Sequence, residues 1–166
     1  ISNKDFVEGF EEFAKNEEKK AEQREKAPVP YRANIVGDNE NDINDKYYGN
    51  NNVMVSNDAA EHGTHVSGII AAVRKNGKGM DGIADNVKIM MVRAVPDGDE
   101  HDKDIALAIR YAVDNGAKVI NMSFGKSFSP HKEWIDEAVD YANSKGVLLV
   151  HAAGNDHKNI DSTDNF

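Results

Sequence analysis

Three apolar runs, set apart by two amphipathic stretches, constrain this chain more than anything else in it. Val87–Val95, Val119–Phe124 and Val147–Val150 are near-continuous apolar segments of strand length. Between them, Asp104–Asn115 puts Ile105, Ala108, Ile109 and Ala112 on one helical stripe, and Lys132–Lys145 does the same with Trp134, Ile135, Ala138, Val139 and Ala142. Pro96-Asp97-Gly98 closes the first run, and Gly116 and Gly146 stop the two helices. Strands without polar alternation, joined by single helices, specify a parallel sheet. The expected fold class is therefore α/β, a parallel sheet with helices on both faces and right-handed crossovers. Working residues in such sheets gather beyond the carboxyl ends of the strands. That nominates Pro96–Asp102, Ser123–Ser129 and His151–Asn155.

Upstream, Glu61-His62-Gly63-Thr64-His65-Val66-Ser67-Gly68 runs into Ile69-Ile70-Ala71-Ala72-Val73. Small residues interleaved with branched apolar ones predict a helix packed hard against a neighbour. His62, in its first turn, then needs a polar partner or an open cleft for its ring nitrogens. The Gly-rich Lys75–Gly79 ends the helix.

The N-terminal part has a different composition. From Asp5 to about Lys26, Phe6, Phe10 and Phe13 share a helical face, with Ala14 and Ala21 extending it, and Pro28 and Pro30 close it. Its mixed-sign, acid-rich remainder predicts a helix docked through its Phe stripe rather than one lying on a membrane. Asn34–Asp58 is rich in Asn, Asp and Gly and reads as an irregular, solvated surface loop. Its carboxylates do not follow the EF-hand spacing. The expected organisation is a helical and Asn/Asp-rich insertion over residues 1–57, ahead of a core over 58–166.

A net charge of −9, with no basic stripe, argues against nucleic acid as a partner. No apolar run is long enough to cross a membrane. The absence of Cys removes disulfides and thiolate metal sites. Residues 1–6 do not resemble a signal peptide, so the chain is cytoplasmic or directed by a signal upstream.

Three motifs carry chemistry. His62-Gly63-Thr64-His65-Val66-Ser67-Gly68 differs by one small residue from the histidine motif of the subtilisin-like serine peptidases, and Asn121-Met122-Ser123-Phe124-Gly125 and Ala152-Ala153-Gly154-Asn155 resemble two more of that family's motifs. The resemblance covers about Asp58–Asp156. It implies hydrolysis of a polypeptide by acyl transfer. His62 would serve as general base and then acid, and Asn155 as oxyanion donor. Ser123, Phe124, Gly125, Ala152, Ala153 and Gly154 would form pocket walls, and the run from Gly98 to His101 would pair with the substrate backbone as an added strand. It also implies an extracellular or periplasmic location.

The family's Asp-Thr/Ser-Gly and Gly-Thr-Ser-Met-Ala motifs do not occur in the chain. Ser67, Ser123, Ser127 and Ser129 all have structural readings, so no nucleophile is assigned. The expectation is the central section of a longer peptidase, inactive alone and prone to self-association through open sheet edges. The alternative is a non-catalytic binding or scaffold module of the same fold. No cofactor is expected. The residues where the family binds calcium, Arg74–Gly79, offer three cations and no carboxylate. The spacing of His62 and His65 departs from the i, i+4 pattern of zinc helices, and His65 reads as a buried structural histidine. Two departures fall near the pocket. Lys126 stands where the family has a small residue. His151 replaces an Ala, with its ring aimed either at the oxyanion region or into the sheet layer.

Overall fold

The computed structural model describes residues 31–54, 60–95 and 100–159 continuously, together with 7, 10, 11, 13–15, 17, 18, 56 and 161. Contacts divide the chain into Ile1–Gly37 and Asp38–Phe166. In the first unit, residues 7, 10, 11, 13–15, 17 and 18 are helical, and Phe10 and Phe13 are exposed. Phe6 and most of the expected Asp5–Lys26 helix lie outside the described residues. A short helix, α1 (Tyr31–Ile35), ends where Val36 and Gly37 donate to the Arg32 carbonyl at 2.8 and 3.1 Å.

The second unit contains, in order, α2 (Glu61–Ala71), α3 (Asp102–Asp114), β1 (Val119–Met122), α4 (Lys132–Ser144) and β2 (Leu148–His151). β1 and β2 pair in parallel, with Val119 opposite Leu148 and Met122 opposite His151. The two helices that lead into strands, α3 and α4, end in the same way. Gly116 and Gly146 take φ of 89° and 68°. After α3, Ala117 donates to the Ala112 carbonyl and Gly116 to that of Val113, both at 3.0 Å; after α4, Val147 donates to Ala142 and Gly146 to Asn143. This double bond pattern satisfies carbonyls that a helix end leaves open, and it needs a left-handed residue that glycine supplies without a Cβ clash.

The core sits where α3 and α4 pack on each other and on one face of the sheet. Ile105, Ala106, Ile109 and Val113 of α3 meet Ala138 and Ala142 of α4, with Met122 and Val147 completing the cluster. Both α4 alanines are fully buried, and their small side chains let the two helices approach closely. Ile120 and Leu149 turn toward this layer, whereas Val119, Leu148 and Val150 on the other face are exposed.

Three expectations are corrected in this unit. Val87–Val95 forms no strand and joins no ladder among the described residues. Its apolar composition is not matched by burial either: Val87, Ile89, Met90 and Met91 are exposed, and of this run only Ala94 and Val95 pack on the core. α2 forms as expected, yet none of its residues is buried, and Ile69 is half exposed. Residues 38–48, expected to be a solvated loop, are docked instead. Asp38 is buried, and Ile43 packs against the core.

The end of α2 is held by backbone bonds. Gly82, Ile83 and Ala84 donate to the carbonyls of Ala72, Ile69 and Ile70 at 3.0, 3.0 and 2.8 Å. The Arg74 guanidinium donates to the carbonyls of Gly82 and Ile83, both at 3.1 Å. A Cβ on Gly82 would stand 2.4 Å from the Ala72 nitrogen and 2.7 Å from the Ala71 carbonyl carbon. Backbone on both sides leaves no side chain to yield. Gly82→Ala should therefore lower the urea midpoint by an amount equivalent to about 1–3 kcal/mol, the usual cost of forced overpacking. An unchanged midpoint would show that the two segments are not held together.

Candidate active site

His62 lies in the first turn of α2, exposed, with its helix unburied around it. It lines an open cleft of 2520 Å³. The other side of the same cleft is built from the segments that leave the two strands. Ser123, Phe124 and Gly125 follow β1, and Ala152, Ala153, Gly154 and Asn155 follow β2. The parallel register makes these two segments neighbours, and Ala152 extends the ladder by donating to the Met122 carbonyl at 3.1 Å. Eight of the nine site residues named from the sequence thus line one cleft. The ninth, Gly98, lies outside the described residues. Val87–Val95 also lines this space, and Met91 comes within 3.4 Å of where a Cβ on Gly63 would lie.

The pocket wall after β1 is held by groups that sequence reasoning missed. Asp102, the first residue of α3, is buried. It accepts the Ser129 hydroxyl and the His131 backbone N–H, each at 2.9 Å, and pairs with Lys126 at 2.8 Å. One carboxylate therefore anchors residues 126–131 to the start of α3. Burial pushes the Asp102 carboxyl up, but its bonds from Lys126, His131 and Ser129, together with the charge of Lys126, outweigh this and hold it below the ordinary carboxylate value. Because the folded value is depressed, the stabilisation is complete above the unfolded value of about 3.9 and is lost as pH falls through the lower folded one. The stability gap between wild type and Asp102→Asn should be widest at pH 5–7 and should shrink below about pH 4. Urea titrations across that range check it, and a gap independent of pH would refute the assignment. The sequence signal was an Asp at a helix start, which is common enough to be passed over.

Several other residues now have places. Lys126 lines the cleft and is engaged by the Asp102 carboxylate. The His151 ring is exposed and stands edge-on to Phe124, with ring centroids 6.1 Å apart. It therefore faces the pocket segment and is not turned into the sheet layer. The Asn121 amide donates to the Ser123 hydroxyl at 2.9 Å, while Ser129 is engaged by Asp102. His65 is exposed, contrary to the expected buried structural role, as α2 has no buried residue. His101 pairs with Glu40, and His131 stacks on Trp134 at 3.9 Å. Among the described residues, no three His, Asp or Glu side chains gather as metal ligands. No helix among them is long and apolar enough to cross a membrane.

A histidine helix and an Ala-Ala-Gly-Asn strand end thus line one cleft, and comparison with known proteins gives the family. The model of the subtilase family matches residues 20–165. The chain belongs to the subtilase family, and its helices and small parallel sheet are an incomplete form of the α/β subtilisin-like fold. It is 48% identical over 99 residues to a thermophilic serine proteinase of Bacillus sp. (strain AK1), covering 59% of this chain and 24% of that protein. It is 43% identical over 129 residues to a cell wall-associated protease of Bacillus subtilis (strain 168), covering 76% and 14%. With thermitase of Thermoactinomyces vulgaris it shares 42% over 95 residues, covering 57% and 33%. The chain thus spans between 14% and 33% of the length of these three relatives.

Proposed function

We propose that this chain is the part of a serine endopeptidase that carries the general base and the oxyanion donor. The observation that carries the reading is the shared cleft, with His62 on one side and Asn155 at the end of the segment after β2 on the other. His62 would take a proton from a serine hydroxyl and return it to the leaving amine. The Asn155 amide would donate to the carbonyl oxygen as it gains charge. Ser123, Phe124 and Gly125 on one side and Ala152, Ala153 and Gly154 on the other would wall the pocket, with Gly98 beside the substrate backbone. The orienting acid and the nucleophile would come from outside these residues, since neither family motif occurs among them. The substrate would be a polypeptide, and the cell wall association named for the Bacillus subtilis relative supports work outside the cytoplasm.

The test compares the 166-residue chain with the longer protein of which it would form part, on casein and on a defined peptide. Hydrolysis by the longer protein and none by the chain is the expected pair of results. Turnover by the chain alone, abolished by His62→Ala, would overturn the division of labour. The exposed outer sheet face, with Val119 at 58% and Leu148 at 60%, also supports self-association of the isolated chain. A strictly monomeric elution at high concentration would count against that.

A further inference from the structure

Glu100 is one of the charged residues at the cleft that the proposed chemistry leaves unused. It stands two positions before α3, lines the cleft, and accepts the Gly125 backbone N–H through Oε1 at 3.1 Å. Its own carbonyl accepts from Lys126 Nζ at 2.7 Å. That ammonium is also 2.8 Å from the Asp102 carboxylate, with side chains 19% and 4% exposed. Lys126 and Asp102 therefore answer each other's charge. Among the described residues, the Glu100 carboxylate is met by a neutral amide rather than by a cation.

Gly125 belongs to the pocket wall that leaves β1, three residues beyond Met122, where Ala152 makes the last ladder bond to β1, and the His151 ring stands 3.5 Å from where a Cβ on Gly125 would lie. An extended peptide laid along this wall as an added strand pairs a carbonyl with an N–H of this kind. Such a peptide and Glu100 compete for one donor. Binding displaces the carboxylate, which then sits half-buried at the rim with its charge unanswered. A cation on the incoming peptide restores a charge-assisted bond, and a neutral side chain does not. An acidic one adds repulsion. We propose that Glu100 is a specificity-determining residue that selects peptides carrying Lys or Arg beside the Ser123-Phe124-Gly125 wall. This rests on the endopeptidase reading above.

The experiment uses the full-length protein and two sets of peptides, identical except for Lys or Gln at successive positions on the acyl side of the cleaved bond. At one position, kcat/KM should favour Lys about two- to fivefold, the upper part of the range for one partly screened ion pair. Glu100→Gln keeps an acceptor for Gly125 but removes the charge, so the ratio should fall to near one. Glu100→Ala should give the same ratio by a different route, which guards against a folding defect in either variant. A wild-type ratio near one at every position, or a preference untouched by both variants, overturns the proposal while leaving the peptidase reading intact. Failure of the wild type to cleave any peptide removes both.

Discussion

Replacing His62 by Ala in the full-length protein should lower kcat by about six orders of magnitude with little change in KM, the scale known for loss of the general base in subtilisin, a member of this family. In the proposed role His62 would act on a proton in flight and not on the bound ground state, so its loss would fall on kcat. Asn155→Ala should cost less, about 10²–10³ in kcat, again a magnitude taken from this family. A donor that bonds only the developing oxyanion likewise leaves KM alone. Single-turnover rates on one peptide would separate the two variants. An Asn155→Ala enzyme with full kcat would show that the amide points away from the reacting carbonyl. The shared cleft makes the result a test of position, since the two residues line it from separate segments.

Lys103→Met should destabilise the chain by about 3–5 kcal/mol, the usual cost of removing one partner from a buried ion pair. The Lys103 ammonium lies 2.7 Å from Asp38, and both side chains are wholly buried. It also donates to the Asn39 carbonyl at 2.8 Å and stands over the Tyr48 ring, 4.7 Å from its centroid. Removing it takes a cation away from the buried Asp38 carboxylate. The double variant Asp38→Leu, Lys103→Met should recover much of the loss, because two apolar side chains of similar volume replace two desolvated charges. Urea unfolding of the three variants checks both statements. A loss under about 1 kcal/mol for the single variant would mean that Asp38 is solvated.

What was legible in the sequence is what local pattern controls. The stripes of α3 and α4, their glycine stops and the parallel pairing of β1 and β2 all follow from periodicities of a few residues. So do the segments beyond the strand ends, because the motif residues sit immediately after the apolar runs. What was not legible depends on partners far along the chain. A buried lysine reads like any solvated lysine until Asp38, 65 positions upstream, is placed beside it. The loop 38–48 looked solvated because Asn, Asp and Gly suit turns, and some do make them: Asn41 donates to Asn39 Oδ1 at 3.1 Å and Asn44 to Asp42 Oδ1 at 2.9 Å. Composition could not show that Tyr48 bonds Asp104, or that Glu40 meets His101. Val87–Val95 misled in the opposite sense. Its residues are suited to a strand, but a strand also requires a neighbouring edge within hydrogen-bonding reach.

The helix bearing His62 contributes nothing to the packed interior, yet the backbone before and after it is pinned. Asp38 and Tyr48 are fastened at the head of α3 on one side, and α3 itself begins the core on the other. The helix and its trailing hairpin-like return through Gly82 form an excursion from a fixed base. Opening such a segment exposes little apolar surface, so its amides should report a lower opening free energy than those of α3 and α4. The base and the oxyanion donor would then belong to parts of the molecule with different rigidity, and their relative placement would respond to whatever fills the cleft between them.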